Sequence, residues 1–197
     1  MGHPQLRRLL AGAGMVAVAW AGLHRPGLRR LDARAGDALR SAGRGPCRDR
    51  VVTNTTDLGS LYAVTGATAV LAAIGRRDEA LDVAAVGGLA WTVGQAAKGL
   101  VRRARPYEAD GVRRLVRPPT GSSFPSGHAA VAAAVAEVLA DRARPGRAWP
   151  LRVLAVYVAA TRVDVGVHYP SDVIGGAGMG VALAGTWRRL RARLASR

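Results

Sequence analysis

Of the 29 basic side chains in this 197-residue chain, Lys98 alone is a lysine. An ammonium is a compact point charge where a guanidinium is a planar fork, so a single lysine among arginines points to a site that needs the former, and phosphate binding is the obvious use. Lys98 opens a run that closes on Arg105-Pro106. Two further clusters read as parts of the same anion site. In Pro125-Ser126-Gly127-His128, an imidazole precedes an Ala/Val-rich stretch to Ala140 that has the marks of a helix. Pro125 and Ser126 suit the start of that helix, where free N–H groups and the positive dipole end attract phosphate. In Thr161-Arg162 to Asp172, a second imidazole, His168, lies four positions before a carboxylate across a bend at Pro170, with Ser171 as the expected N-cap of the next helix. An imidazole and a carboxylate at that spacing can share a hydrogen bond.

The spacing carries a family likeness. Six residues separate Lys98 from Arg105, five separate Arg162 from His168 and three separate His168 from Asp172, with Pro125-Ser126-Gly127-His128 between the first and third blocks. In this order and spacing the chain resembles the type 2 phosphatidic acid phosphatase (PAP2) family, which shares its site with vanadium haloperoxidases. The resemblance implies an all-α bundle of six transmembrane helices forming one domain over residues 1–197, with its core motifs in 98–172. It also implies hydrolysis of a lipid phosphate or diphosphate without metal or other cofactor. His168 would attack phosphorus as a neutral imidazole, Asp172 would hold its other ring nitrogen, and His128 would protonate the departing oxygen and then activate water against the phosphohistidine. Lys98, Arg105, Ser126, Gly127 and Arg162 would surround the phosphoryl oxygens. Substrates in keeping with the family are polyprenyl diphosphates, phosphatidic acid and phosphatidylglycerol phosphate. Two departures bear on specificity. Thr161 stands where the family usually has serine, and Asp164, two residues past a phosphate-binding arginine, replaces an apolar or aromatic residue and is expected to weaken anion affinity or reshape specificity.

The elements that must position these residues are apolar. Segments 9–23, 58–74, 81–101, 126–140, 151–167 and 173–187 read as helices. Residues 28–39 read as an amphipathic helix on the membrane surface, with Leu28, Leu31, Ala35, Ala38 and Leu39 on one face. Alanine, glycine and valine dominate and only 5% of residues are aromatic, as close packing of helices in a bilayer favours. Several segments are shorter than the ~20 residues of an untilted span, so a soluble helical bundle is the alternative. Alternation along six spans brings all three blocks to one face and both termini to the other. Lys98, Glu137 and Arg162 interrupt the apolar runs; Lys98 and Arg162 belong to the motifs, and Glu137 has no role readable from sequence.

Charge does not orient the chain, because 13 arginines fall on the terminus side and 14 on the motif side. The family likeness places the site on the extracytoplasmic face of a bacterial plasma membrane, with 188–197 as a basic cytoplasmic tail. The first segment also reads as a signal peptide, with Arg7-Arg8 ahead of its apolar core. One cysteine, Cys47, excludes an internal disulfide. The net charge of +16 invites a nucleic-acid reading, but the arginines are dispersed among apolar segments without stacking aromatics, so no nucleic-acid partner is expected. A non-catalytic membrane scaffold and a haloperoxidase-like enzyme are the remaining alternatives. Arg102, Arg103, Arg113, Arg114 and Arg117 read as solvated or headgroup-facing, Tyr107 and Tyr169 as interfacial aromatics, and Phe124 as loop packing.

Overall fold

The structure is a computed structural model that describes residues 3–42, 44–144 and 146–196. Among the described residues it is all-helical. Nine α-helices run in the order α1 (His3–His24), α2 (Pro26–Ser41), α3 (Pro46–Thr55), α4 (Leu61–Ala73), α5 (Arg77–Leu100), α6 (Pro106–Ala109), α7 (Gly127–Ala140), α8 (Trp149–Asp164) and α9 (Pro170–Ala195), with a 3₁₀ turn at Thr56–Gly59. Each of the six apolar segments falls largely within one of α1, α4, α5, α7, α8 and α9. The short helices α3 and α6 were not expected; Pro46 and Pro106 start them, each at a position where the missing N–H costs nothing.

Side chains are sorted by size. The buried apolar residues among those described are alanine and valine, with Phe124 and Tyr169 as the exceptions. Large apolar side chains face outward instead, among them Leu10, Tyr62, Val70, Leu100, Trp149 and Val156. A water-soluble bundle places leucines inside; helices that meet lipid outside and one another inside do the reverse. Among the described residues one helix stretch, Gln5–His24, is long and apolar enough to cross a membrane by length and composition, and Leu61–Ala73 and Gly127–Ala140 are apolar but shorter.

Helix α9 is the central post, packing on α1 and α7. Its glycines make that possible: a Cβ at Gly176 would run into the backbone carbonyl of Ser126, and one at Gly180 into that of Ala130. Helix α7 can therefore lie directly on α9, which fixes the start of α7 against the start of α9.

Helix α2 buries Asp32, Gly36 and Arg40 and turns Leu28, Leu31 and Leu39 outward. It docks through its polar edge and leaves the apolar stripe free. At the opposite end, the acidic residues gather arginines. Asp82 is fully buried and accepts from Arg142, Arg191 and the Trp187 indole, while Arg8 and Arg152 pair with Glu137. Glu137, unexplained by sequence, thus ties α7 to α1 and α8.

Candidate active site

The three sequence blocks meet at one end of the bundle. Lys98 lies in the last turn of α5, Ser126 caps α7, Arg162 lies in the last turn of α8, and Asp172 opens α9. Backbone and side-chain bonds then stitch the blocks together. The Ser126 N–H donates to the Asp172 carbonyl at 3.0 Å, and the Ser123 N–H donates to the Arg103 carbonyl at 2.9 Å. The Arg105 guanidinium donates to the Val167 carbonyl at 2.9 Å. Lys98, Arg105, Arg162 and His168 all lie within electrostatic reach of His128.

His168 sits in the link between α8 and α9 and is 2% exposed. Its Nδ1 faces Asp172 Oδ2 at 3.5 Å, a contact rather than a formed hydrogen bond, and among the described residues this nitrogen has no other partner. That carboxylate oxygen is already engaged by Ser123 Oγ at 2.5 Å and the Tyr169 N–H at 2.8 Å. Burial drives the imidazole pKa down to about 4, against the opposing pull of Asp172. The ring is therefore neutral near pH 7, and with Nδ1 turned to Asp172 its Nε2 is the nitrogen left for chemistry.

Arg162 is 3% exposed and donates one N–H to Thr56 Oγ1 at 2.8 Å, while its Nε has no partner among the described residues. The Thr161 hydroxyl donates to the same Thr56 oxygen at 3.1 Å, so the threonine that replaces the usual serine keeps a place in this network. His128 is held by Asp57, 3.2 Å from its Nε2, and its ring meets Trp91 edge-on at 6.3 Å. Asp57 also lies 3.6 Å from Arg162. It is an exposed carboxylate that bridges a cation and an imidazole at the mouth of the cluster. Gly127 packs on the Trp91 ring, and Ser126 is fully buried, its hydroxyl accepting from the Ala129 N–H.

Arg105 is fully buried, and four of its five N–H groups are committed. They reach the carbonyls of Gly121, Val167, Thr120 and Ser122 at 3.2, 2.9, 3.2 and 3.2 Å. Burial pulls its pKa down, opposed by Tyr107, Asp172 and Glu108. The side chain clamps two loops and keeps one N–H uncommitted.

Several expectations from sequence need correction. The N-cap of α9 is Tyr169, with Asp172 accepting from its N–H, so Ser171 lies inside the helix. Tyr169 is 6% exposed, donates to Asp110 at 2.6 Å and lies 4.0 Å under the Arg103 guanidinium; it is no interfacial aromatic. Burial, with Asp110 beside it, pushes its hydroxyl pKa well up. Arg103 is not solvated but pairs with both Asp32 and Asp172. Asp164 turns away from the anion site to Arg48 at 2.7 Å, which removes the expected conflict with Arg162. Phe124 packs the loop as expected, against Trp20 and Gly175. Sequence reasoning missed Asp32, Asp57 and Thr56. All three lie before Lys98, outside the spaced blocks, and no local pattern marks them.

Known proteins resemble this chain in sequence and in fold. An undecaprenyl-diphosphatase of Sulfolobus acidocaldarius is 37% identical over 101 residues, covering 50% of this chain and 46% of that one. A decaprenylphosphoryl-5-phosphoribose phosphatase of Mycobacterium tuberculosis is 39% identical over 114 residues, covering 56% and 58%. The chain thus spans about half the length of these relatives in its matched stretch. The crystal structure of a transmembrane PAP2 type phosphatidylglycerolphosphate phosphatase from Bacillus subtilis superposes with a TM-score of 0.78 at 24% identity, covering 93% of this chain and 96% of that one, a likeness of fold. The model of the PAP2 superfamily matches residues 79–195, more than half of the sequence and the part that holds all three blocks, and the chain belongs to that superfamily.

Proposed function

We propose that this protein is a multi-pass membrane phosphatase that removes phosphate from a lipid phosphate or diphosphate through a phosphohistidine on His168. One observation carries the reading: a buried, neutral imidazole backed by a carboxylate sits among Lys98, Arg162 and a second imidazole, and the Arg162 Nε beside it lacks a partner. Buried polar groups seldom stay unpaired, and an anion with several oxygens satisfies this one.

In the scheme, His168 Nε2 attacks phosphorus while Asp172 stabilises the charge that develops on the ring. His128 gives its proton to the departing lipid oxygen, then takes one from the water that hydrolyses the phosphohistidine. Lys98 and Arg162, with Ser126 and the Gly127 N–H, bind the equatorial oxygens, and Arg105 supplies its remaining N–H and its charge. Asp57 occupies part of the anion's approach and yields as phosphate enters. The scheme draws on this chain's own side chains and one backbone N–H, without metal.

The outward-facing leucines, valines and tryptophans support burial of the helices in a bilayer, with the lipid tail alongside them and the headgroup at the cluster. Polyprenyl diphosphates, phosphatidic acid and phosphatidylglycerol phosphate are the candidate substrates, acted on at the extracytoplasmic face of a bacterial plasma membrane. Purified protein in detergent, given these lipids with EDTA present, tests the reading. His168→Ala removes turnover and Arg113→Ala, at an exposed position, leaves it near wild type. Equal losses in the two variants, or activity abolished by the chelator, refute the scheme.

A further inference from the structure

We infer that Arg103 and Asp32 form a positioning pair that holds the Asp172 carboxylate against His168 and sets how strongly that carboxylate stabilises the imidazolium. The inference rests on the phosphatase reading above and adds two residues, one of them on α2, to its machinery.

The geometry is a closed ring of charged hydrogen bonds. Arg103 donates from one terminal nitrogen to Asp172 Oδ1 at 2.5 Å and to Ser171 Oγ at 2.7 Å, and from the other to Asp32 Oδ2 at 2.7 Å. Asp32 closes the ring from the far side, accepting from the Ser171 N–H at 2.8 Å and from the Ser171 hydroxyl at 2.5 Å. The Tyr169 ring supports the guanidinium from below at 4.0 Å. Asp32 and Asp172 are 9% and 0% exposed, and among the described residues Arg103 is the one arginine in ion-pair contact with either carboxylate.

The division of labour at Asp172 is the important point. Oδ1 belongs to Arg103, whereas Oδ2 serves Ser123, the Tyr169 N–H and the His168 ring. A planar fork is suited to this task, since it can bind two carboxylates at once and fix the plane of each. By neutralising one side of Asp172, Arg103 also limits the charge available to His168. Without it, Asp172 keeps its full charge beside the imidazole but loses its fixed plane, so the ring holds a proton more tightly while its Nε2 is aimed less well at phosphorus. The other charged or titratable groups gathered around His168 are Lys98 from α5, Arg162 from α8, Arg105 from the loop before α6, and His128 from α7. None of them touches Asp32, so the effect of that residue must pass through Arg103 and Ser171.

Two measurements on full-length protein in detergent test the pair. In the first, ring-labelled histidine NMR follows the four imidazoles of the chain, His168 being assigned by its disappearance in His168→Asn. Arg103→Gln raises the pH at which His168 titrates by about one unit, since a cation is lost and Asp172 is released. In the second, steady-state hydrolysis of dioleoyl phosphatidic acid and of undecaprenyl diphosphate is compared across variants. Arg103→Gln lowers kcat by about 10- to 100-fold, the worth of a charge-assisted hydrogen bond, with KM within about threefold of wild type. Arg103→Lys recovers part of kcat, because an ammonium reaches one carboxylate but not both. The isosteric Asp32→Asn lowers kcat in the same sense, and if Arg103→Gln does not fold, these two variants carry both measurements. An unshifted His168 titration in folded variants, or a loss confined to KM, overturns the inference. Wild-type protein that hydrolyses neither lipid counts against the phosphatase reading instead, while the titration still decides the pair.

Discussion

Arg105 offers a sharp test because its geometry separates two roles that its sequence position merges. The block spacing makes it a phosphate ligand, yet four of its donors are spent on the carbonyls of Thr120, Gly121, Ser122 and Val167. Three of those bonds are 3.2 Å long, so the value for ordinary rather than charged hydrogen bonds is appropriate, about 1 kcal/mol each. Arg105→Ala then costs about 4 kcal/mol before any cavity contribution. In a chain of this length that lowers the midpoint of thermal unfolding by about 10 °C. Arg105→Lys keeps the charge but has three donors on one nitrogen and a shorter reach, and it retains at most half of the bonds, a loss of about 2 kcal/mol. The assay is thermal unfolding in detergent alongside steady-state kinetics of the same preparations. A clamp predicts that the lysine variant melts lower and loses kcat as the loop carrying His168 slackens. If Arg105→Lys melts within about 2 °C of wild type and its only defect is a raised KM, the clamp reasoning fails and the side chain is chiefly an anion ligand.

Other consequences are testable in the same preparations. Because the His168 pKa is lowered to about 4, the unfolded chain binds a proton that the folded one refuses between that value and the ordinary ~6.5. Stability therefore falls as pH drops through that window, and His168→Gln flattens this part of the melting-temperature profile; parallel profiles contradict the assignment. Asp82→Asn strands three arginines at the end remote from His168 and costs about 3 kcal/mol, read as a lower melting temperature with unchanged kcat in the folded fraction. Gly176→Ala forces α9 off the Ser126 carbonyl, costing about 1–3 kcal/mol and reducing turnover through the displaced Ser126-Gly127-His128 turn; wild-type kinetics with wild-type stability would show that the helices part without consequence.

The spaced blocks were legible because phosphate chemistry, as the family likeness implies it, constrains both residue type and spacing, and their key residues lie at helix ends. Lys98, Ser126, Arg162 and Asp172 are all placed by local helix geometry once α5, α7, α8 and α9 are drawn. Ser126 at the start of α7 was read correctly for this reason, and Ser171 as a cap was not, since Pro170 at the first helical position moves the cap back to Tyr169. What could not be read are contacts made across sequence distance. Asp32 lies 139 positions before Ser171, its hydrogen-bond partner, and nothing near it in the chain signals that partner. Arg103 looked like its neighbours Arg102 and Arg113 because periodicity carries no information within an irregular loop. Likewise the apolar stripe of α2 was visible, but not that the helix docks by the opposite edge.

The size sorting of the bundle has an evolutionary consequence. With alanine, valine and glycine inside and bulky residues outside, the constraint on each position is set by volume rather than by polarity. Interior sites reject any added methylene, because neighbouring helices stand too close to yield. Exterior sites accept one large apolar residue for another freely, since lipid conforms to whatever shape is offered. A saturation-mutagenesis map of this chain should therefore look inside-out beside that of a water-soluble enzyme: its leucines drift while its smallest residues stay fixed.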